Sequence, residues 1–170
     1  GRTIRPAGVL ILLVERDAAL NVVLTQRTAH LHDHAGQISF PGGRQDAEDA
    51  DIVATALRES AEEIGTDSSR IEVLGSLPNY VTVTAYEVTP VVAASPPQPY
   101  RVDPFEVADV FEVPLGHLLD ERNWRRDSFM RDGKRREYWA VPWRERYIWG
   151  ATAGMLRTFR EVLLHGTQHV

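Results

Sequence analysis

The stretch from Phe40 to Thr66, FPGGRQDAEDADIVATALRESAEEIGT, most constrains what this chain can fold into. Pro41-Gly42-Gly43 reads as a turn that no strand continues, since proline lacks a donor and glycine prefers no single conformation. A helix follows. Asp49 or Asp51 supplies its N-cap, and Ile52, Val53, Ala56, Leu57, Ser60 and Ile64 recur at helical spacing on one side. Gly65 stands where a left-handed residue ends a helix. The other side carries Arg58, Glu59, Glu62 and Glu63. Glu59 is one turn from both Glu62 and Glu63, so three carboxylates crowd one face and repel unless a cation lies between them.

Such a face is either a solvated helix surface or a site for a hard divalent cation. Mg²⁺ takes oxygen ligands, keeps several waters and binds through a few carboxylates plus substrate phosphates. The whole string, Gly-Gly and then a helix bearing Arg-Glu-x-x-Glu-Glu-x-Gly, resembles the box of the Nudix hydrolases, which split nucleoside diphosphates linked to another group. Fourteen residues separate Gly43 from Arg58, one more than in the family pattern, so Glu48 or Asp49 stands in for the first box glutamate. Ser60 and Thr66 occupy positions where the family prefers aliphatics.

The resemblance implies that Glu59 and Glu63 hold Mg²⁺ or Mn²⁺ jointly, with Glu62 completing the site or taking a second ion. It also implies that the backbone at Gly42 and Gly43 faces the metal, and that Arg58 orients a box glutamate. Family members differ in the carboxylate that deprotonates the attacking water. Here Glu62 is one candidate and Glu106, in Pro104-Phe105-Glu106, the other.

A second resemblance precedes the box. Val23-Leu24-Thr25-Gln26-Arg27-Thr28, then Gly36 and Phe40-Pro41-Gly42-Gly43, are similar to the motif of the coenzyme A-type Nudix pyrophosphatases. That assigns Arg27 and Gly42 to substrate binding. His32 stands where the motif has a second arginine; a histidine can hydrogen-bond a phosphate but is only partly charged at neutral pH. His30, His32 and His34 invite a zinc reading. Their alternating spacing in a polar loop, without an obvious fourth ligand, makes them polar loop residues, some of which meet substrate.

Composition narrows the class. A chain of 170 residues suits one domain, 1–170, with a sizeable core. Its formal net charge of −5 argues against broad nucleic-acid binding, though not against a small polyanion, because a bound cation inverts the local field. There are no cysteines, hence no disulfides, thiolate metal sites or cysteine nucleophile. Apolar runs such as Gly8 to Val14 are far below a membrane span. With no charged-then-apolar leader at the start, a cytoplasmic location is expected.

Periodicity predicts a strand over Ala7 to Val14, a break at Asp17 to Asn21, and a hairpin partner over Asn21 to Gln26. Further strands are expected over Ile71 to Leu77, Tyr80 to Val92 and Val107 to Val113. A short helix follows over Pro114 to Leu119, then a hairpin turning at Asp132-Gly133. Trp139, Trp143 and Trp149 read as core or interface anchors rather than base-stacking platforms. An amphipathic helix closes the chain over Ile148 to His165, with Ile148, Ala151, Met155, Phe159 and Leu163 on one face.

These elements make an α+β layout. The resemblance adds the Nudix fold, a mixed β-sheet sandwiched between α-helices. It implies hydrolysis of the pyrophosphate of coenzyme A or its derivatives to 3′,5′-ADP and 4′-phosphopantetheine, with a homodimer as in relatives. Alternative substrates are ADP-ribose, dinucleoside polyphosphates and oxidised nucleotides. A non-catalytic nucleotide-binding module is the other class of reading. Such modules often lose box glutamates, and Glu59, Glu62 and Glu63 are all present.

Overall fold

The computed structural model describes residues 3–30 and 36–166. Strands β1 (Arg5–Arg16) and β2 (Ala19–Arg27) form an antiparallel hairpin. The expected break is shorter than read from the sequence. Asp17 and Ala18 adopt positive φ of 51° and 63°, a two-residue turn whose twist matches the strands, so Ala19 and Leu20 already pair. The continuous apolar run of β1 is explained by its neighbours. It pairs in parallel with β7 along its length, and both of its faces are covered.

After β2 the chain returns as β3 (Ile38–Ser39), paired with β2, and β4 (Gly42–Arg44), paired with β1. The diglycine is therefore in the sheet, contrary to the turn expected. Pro41 makes the bend, and its carbonyl accepts from Leu10 N at 2.9 Å. A Cβ on Gly42 would lie 2.4 Å from Gly8 O, so only glycine allows this pairing.

Helix α1 (Ile52–Ile64) follows. Asp51 is the N-cap, accepting from Ala54 N at 2.8 Å, and Gly65 ends the helix at φ 73°. Next come β5 (Glu72–Ser76), β6 (Tyr80–Val81), β7 (Tyr86–Ser95) and β8 (Val107–Pro114), all joined to the first sheet. A short helix α2 (Leu115–Leu119) leads into a second sheet of β9 (Arg125–Arg131), β10 (Lys134–Trp143) and β11 (Arg146–Trp149). Asp132 and Gly133 form the predicted β9–β10 turn, at φ 53° and 72°.

Helix α3 is Gly150–His165, so the sequence reading started it two residues early. Ile148 and Trp149 pair with β10, and Gly150 at φ 69° turns the chain from strand to helix. Ile148 is still fully buried, but as a strand residue, whereas Leu163 is exposed.

Alternation along β1 separates two cores. Leu10, Leu12 and Val14 pack with Ala56 and Ile64 of α1. Ile11 and Leu13 pack with Met155, Leu156 and Phe159 of α3 and with Val141 and Ile148 of the second sheet. The mixed sheet is thus sandwiched, with α1 on one side. Among the tryptophans, Trp139 packs edge-on against Trp124 and Trp143 stacks on Phe111, as anchors. Trp149 is 43% exposed.

Candidate active site

The site is built where α1 crosses the β1–β4 pairing. Gly8 lets the helix close in, since a Cβ there would be 2.8 Å from Ile52 O. That approach presses the acidic side of α1 against the diglycine strand. Glu63 is 4% exposed, and Gly42 N donates to its Oε1 at 2.7 Å. The Glu59 carboxylate lies against the Gly43 backbone: a Cβ on Gly43 would be 2.6 Å from Glu59 Cδ.

Arg58 organises the outer part. Its Nε donates to Asp49 Oδ1 at 2.8 Å and its Nη2 to Oδ2 at 3.0 Å. Its Nη1 reaches Glu59 Oε1 at 3.1 Å and both oxygens of Glu62 at 3.3 Å. Asp49 is thus the acid that pairs with Arg58, and Asp51 the cap, which separates the roles left open by the sequence. Asp49 Oδ2 also accepts from Thr55 Oγ1 and Asp46 N. Hydrogen bonds from Arg58 first, then from the Asp46 backbone, hold the Asp49 carboxyl well below the usual carboxylate range.

Glu106 arrives through a connection invisible to local patterns. The last carbonyls of α1 need donors, and the loop after the Pro-rich segment supplies them. Arg101 N donates to Ile64 O and Asp103 N to Glu63 O, both at 2.9 Å. The loop then turns, with Glu106 N donating to Asp103 O, and Glu106 O accepts from Thr28 N at 3.1 Å. The Glu106 charge acts on both Glu59 and Glu63.

Burial pushes the Glu63 carboxyl up to about 8, and the charges of Glu59 and Glu106 push the same way; the Gly42 N–H and Arg27 pull against them. Burial likewise raises Glu59, against Arg58. Arg27, at the end of β2, therefore lies within electrostatic reach of the same cluster. Its Nε is buried and finds no hydrogen-bond partner among the described residues.

The structure brings together Glu59, Glu63, Glu106, Arg27, Gly42 and Gly43. Glu62 stays outside, its side chain 59% exposed and held by Arg58. His32 and His34 lie outside the described residues. His30 is exposed, its ring 5.2 Å from that of Phe105. The small residues at the two aliphatic box positions also have a reason: Thr66 Oγ1 donates to Ser60 Oγ at 2.8 Å in the interior.

Among the described residues, no group of three or more His, Cys, Asp or Glu side chains is placed to hold a metal ion together. The donor set nevertheless fits a hard cation. Two crowded carboxylates in a partly dry site, beside a backbone that admits no Cβ, provide oxygen ligands and leave positions for water and phosphate oxygens, as Mg²⁺ requires. A divalent cation bound there would stabilise charge on phosphoryl oxygens.

Residues 4–133 match the NUDIX domain, and the chain belongs to that family. It is 45% identical over 155 residues to the uncharacterized Nudix hydrolase NudL of Escherichia coli O1:K1, spanning 90% of this chain and 80% of that protein. NudL of Shigella boydii serotype 18 is equally similar. Among solved structures, the Nudix hydrolase RenU of M. smegmatis superposes with a TM-score of 0.67 at 18% identity, over 96% of this chain and 88% of that one. The NUDIX domain of Shewanella oneidensis NrtR, complexed with ADP ribose, gives 0.53 at 25% identity, over 70% and 78%. The protein is a Nudix pyrophosphohydrolase that acts on a nucleoside diphosphate derivative. No described helix is long and apolar enough to cross a membrane.

Proposed function

We propose that the protein hydrolyses the pyrophosphate of coenzyme A or its derivatives to 3′,5′-ADP and 4′-phosphopantetheine. The observation that carries this reading is where the upstream motif folds. Arg27 and Gly42, 36 and 21 residues before Glu63 along the chain, approach it from two different strands. An arginine with a buried, unpartnered Nε beside carboxylates is suited to a substrate phosphate.

In this reading Glu59 and Glu63, with the backbone at Gly43, hold Mg²⁺ or Mn²⁺. Glu106 takes the proton from the attacking water, favoured over Glu62 because Arg58 already engages Glu62 at the surface. Water adds to one phosphorus as the other phosphate leaves, and Arg27 compensates charge on the non-bridging oxygens. Arg58 acts by positioning Glu59.

Product analysis after incubation with coenzyme A and Mg²⁺ or Mn²⁺, against a chelator control, tests it. Metal-dependent 3′,5′-ADP is expected. Turnover of ADP-ribose with coenzyme A untouched would overturn the substrate while leaving the hydrolase.

A further inference from the structure

A cleft of about 670 Å³ opens between the second sheet and the β2–β3 end of the first, its lining including Gln26, Gln37, Glu145, Arg146, Tyr147 and Trp149. Its volume is in the range of small-ligand sites. It belongs to the opposite face of the sheet from the carboxylate cluster. The two faces meet at the end of β2, where Arg27 acts on Glu63 while its neighbour Gln26 lines the cleft, because successive strand residues point to opposite faces.

We infer that this cleft seats the nucleobase of the substrate, with Trp149 as the stacking surface and Gln37 as a base-edge partner. The inference rests on the proposed reading only in placing the diphosphate at the carboxylate cluster. Trp149 and Tyr147 are exposed aromatics two residues apart on an edge strand, and Tyr138 backs Trp149 with ring centroids 5.1 Å apart. A rigid ring with an open face favours a planar π-system over a flexible chain. Glutamine amides present paired donors and acceptors that match a base edge, and Glu145 offers an acceptor to an exocyclic amine. Arg146 is pinned by Gln26 at 2.8 Å and by Asp109, which fixes the cleft wall. This function for Trp149 departs from the anchoring role its sequence context suggested.

Calorimetric titration of the intact protein with AMP and with ribose 5-phosphate separates base from phosphate. AMP is expected to bind about tenfold more tightly, in keeping with the stacking of one base. Trp149→Ala and Gln37→Ala, both at exposed positions, should erase that advantage with unchanged thermal unfolding, and Trp149→Phe should restore most of it. Equal binding of the two ligands, or AMP affinity untouched in both alanine variants, would overturn the inference. So would 4′-phosphopantetheine binding that depends on Trp149 in place of AMP. These titrations need no hydrolysis, so failure of coenzyme A as substrate leaves their outcome intact.

Discussion

Arg58 meets Asp49 with two donors along one edge of its guanidinium, Nε at 2.8 Å and Nη2 at 3.0 Å, while its third nitrogen reaches Glu59. One side chain therefore ties the loop before α1 to a proposed metal-holding carboxylate. Asp49→Asn weakens the fork, and Arg58→Lys removes its planar geometry. Each should lower kcat/KM by about 10- to 100-fold, the usual cost of losing a partner that orients a metal ligand. Glu48→Gln, a change at the neighbouring acid, should leave kcat/KM unchanged; a loss there equal to that of Asp49→Asn would refute the pairing.

Adjacent glycines should respond differently to the same substitution. A Cβ on Gly42 meets the backbone of Gly8 and Val9, which cannot yield, so Gly42→Ala should cost about 1–3 kcal/mol of stability. The atoms nearest a Cβ on Gly43 all belong to the Glu59 carboxylate, which can swing away. Gly43→Ala should therefore keep most of its stability in urea unfolding and lose activity by at least about 100-fold, as expected when a site is misplaced by an ångström.

Glu63→Gln and Glu59→Gln keep the shape of the site but remove the charge that a cation needs. Both should reduce kcat by orders of magnitude, roughly 10³-fold or more, since electrostatic stabilisation supplies most of phosphoryl-transfer catalysis. Steady-state assays across Mn²⁺ concentrations would check this, with near-normal turnover in both variants discarding the metal assignment.

The buried Ser60–Thr66 hydroxyl pair gives a stability prediction independent of catalysis. Ser60→Ala or Thr66→Val leaves one hydroxyl without its partner, at a cost of about 1–3 kcal/mol each. The double variant should cost less than the sum, because no orphan remains. Additive losses in a double-mutant cycle would show that the hydroxyls do not act together.

Glu112 makes the acid limb of stability predictable. Burial works to raise its pKa, but hydrogen bonds from Arg16, Tyr100 and Asn21 outweigh that and hold it below the ordinary value. A carboxyl depressed in the folded state contributes stability that is present above its unfolded pKa and lost as pH falls through its folded pKa. Glu112→Gln should thus lower Tm near neutral pH, with the gap to wild type closing on acidification. A gap that stayed constant down to about pH 3, below the ordinary glutamate range, would contradict the linkage.

Much of α1 was legible because its determinants are local. The apolar spacing, the Asp51 cap and the left-handed Gly65 act within a few residues of one another. The same locality made the Asp132-Gly133 hairpin readable. Where local signals misled, a distant partner decided. Pro41-Gly42-Gly43 has the composition of a turn, yet Gly8 and Val9 of β1 take it into the sheet. Ile148 has helical spacing to the residues after it, yet β10 pairs with it as a strand.

By itself, then, the chain's order of residues determined the acidic helix, its glycine end and a choice of two acids for its cap, because helix spacing and capping are short-range. Tertiary structure alone decided that Asp49 rather than Glu48 holds Arg58, that Glu106 faces Glu59 and Glu63 while Glu62 turns to solvent, and that Gln26 and Arg27 serve opposite faces of the sheet. Those outcomes depend on strand pairing and on loop hydrogen bonds such as Asp103 N to Glu63 O. They join residues far apart along the chain, and no local pattern encodes which of several similar side chains will be brought there.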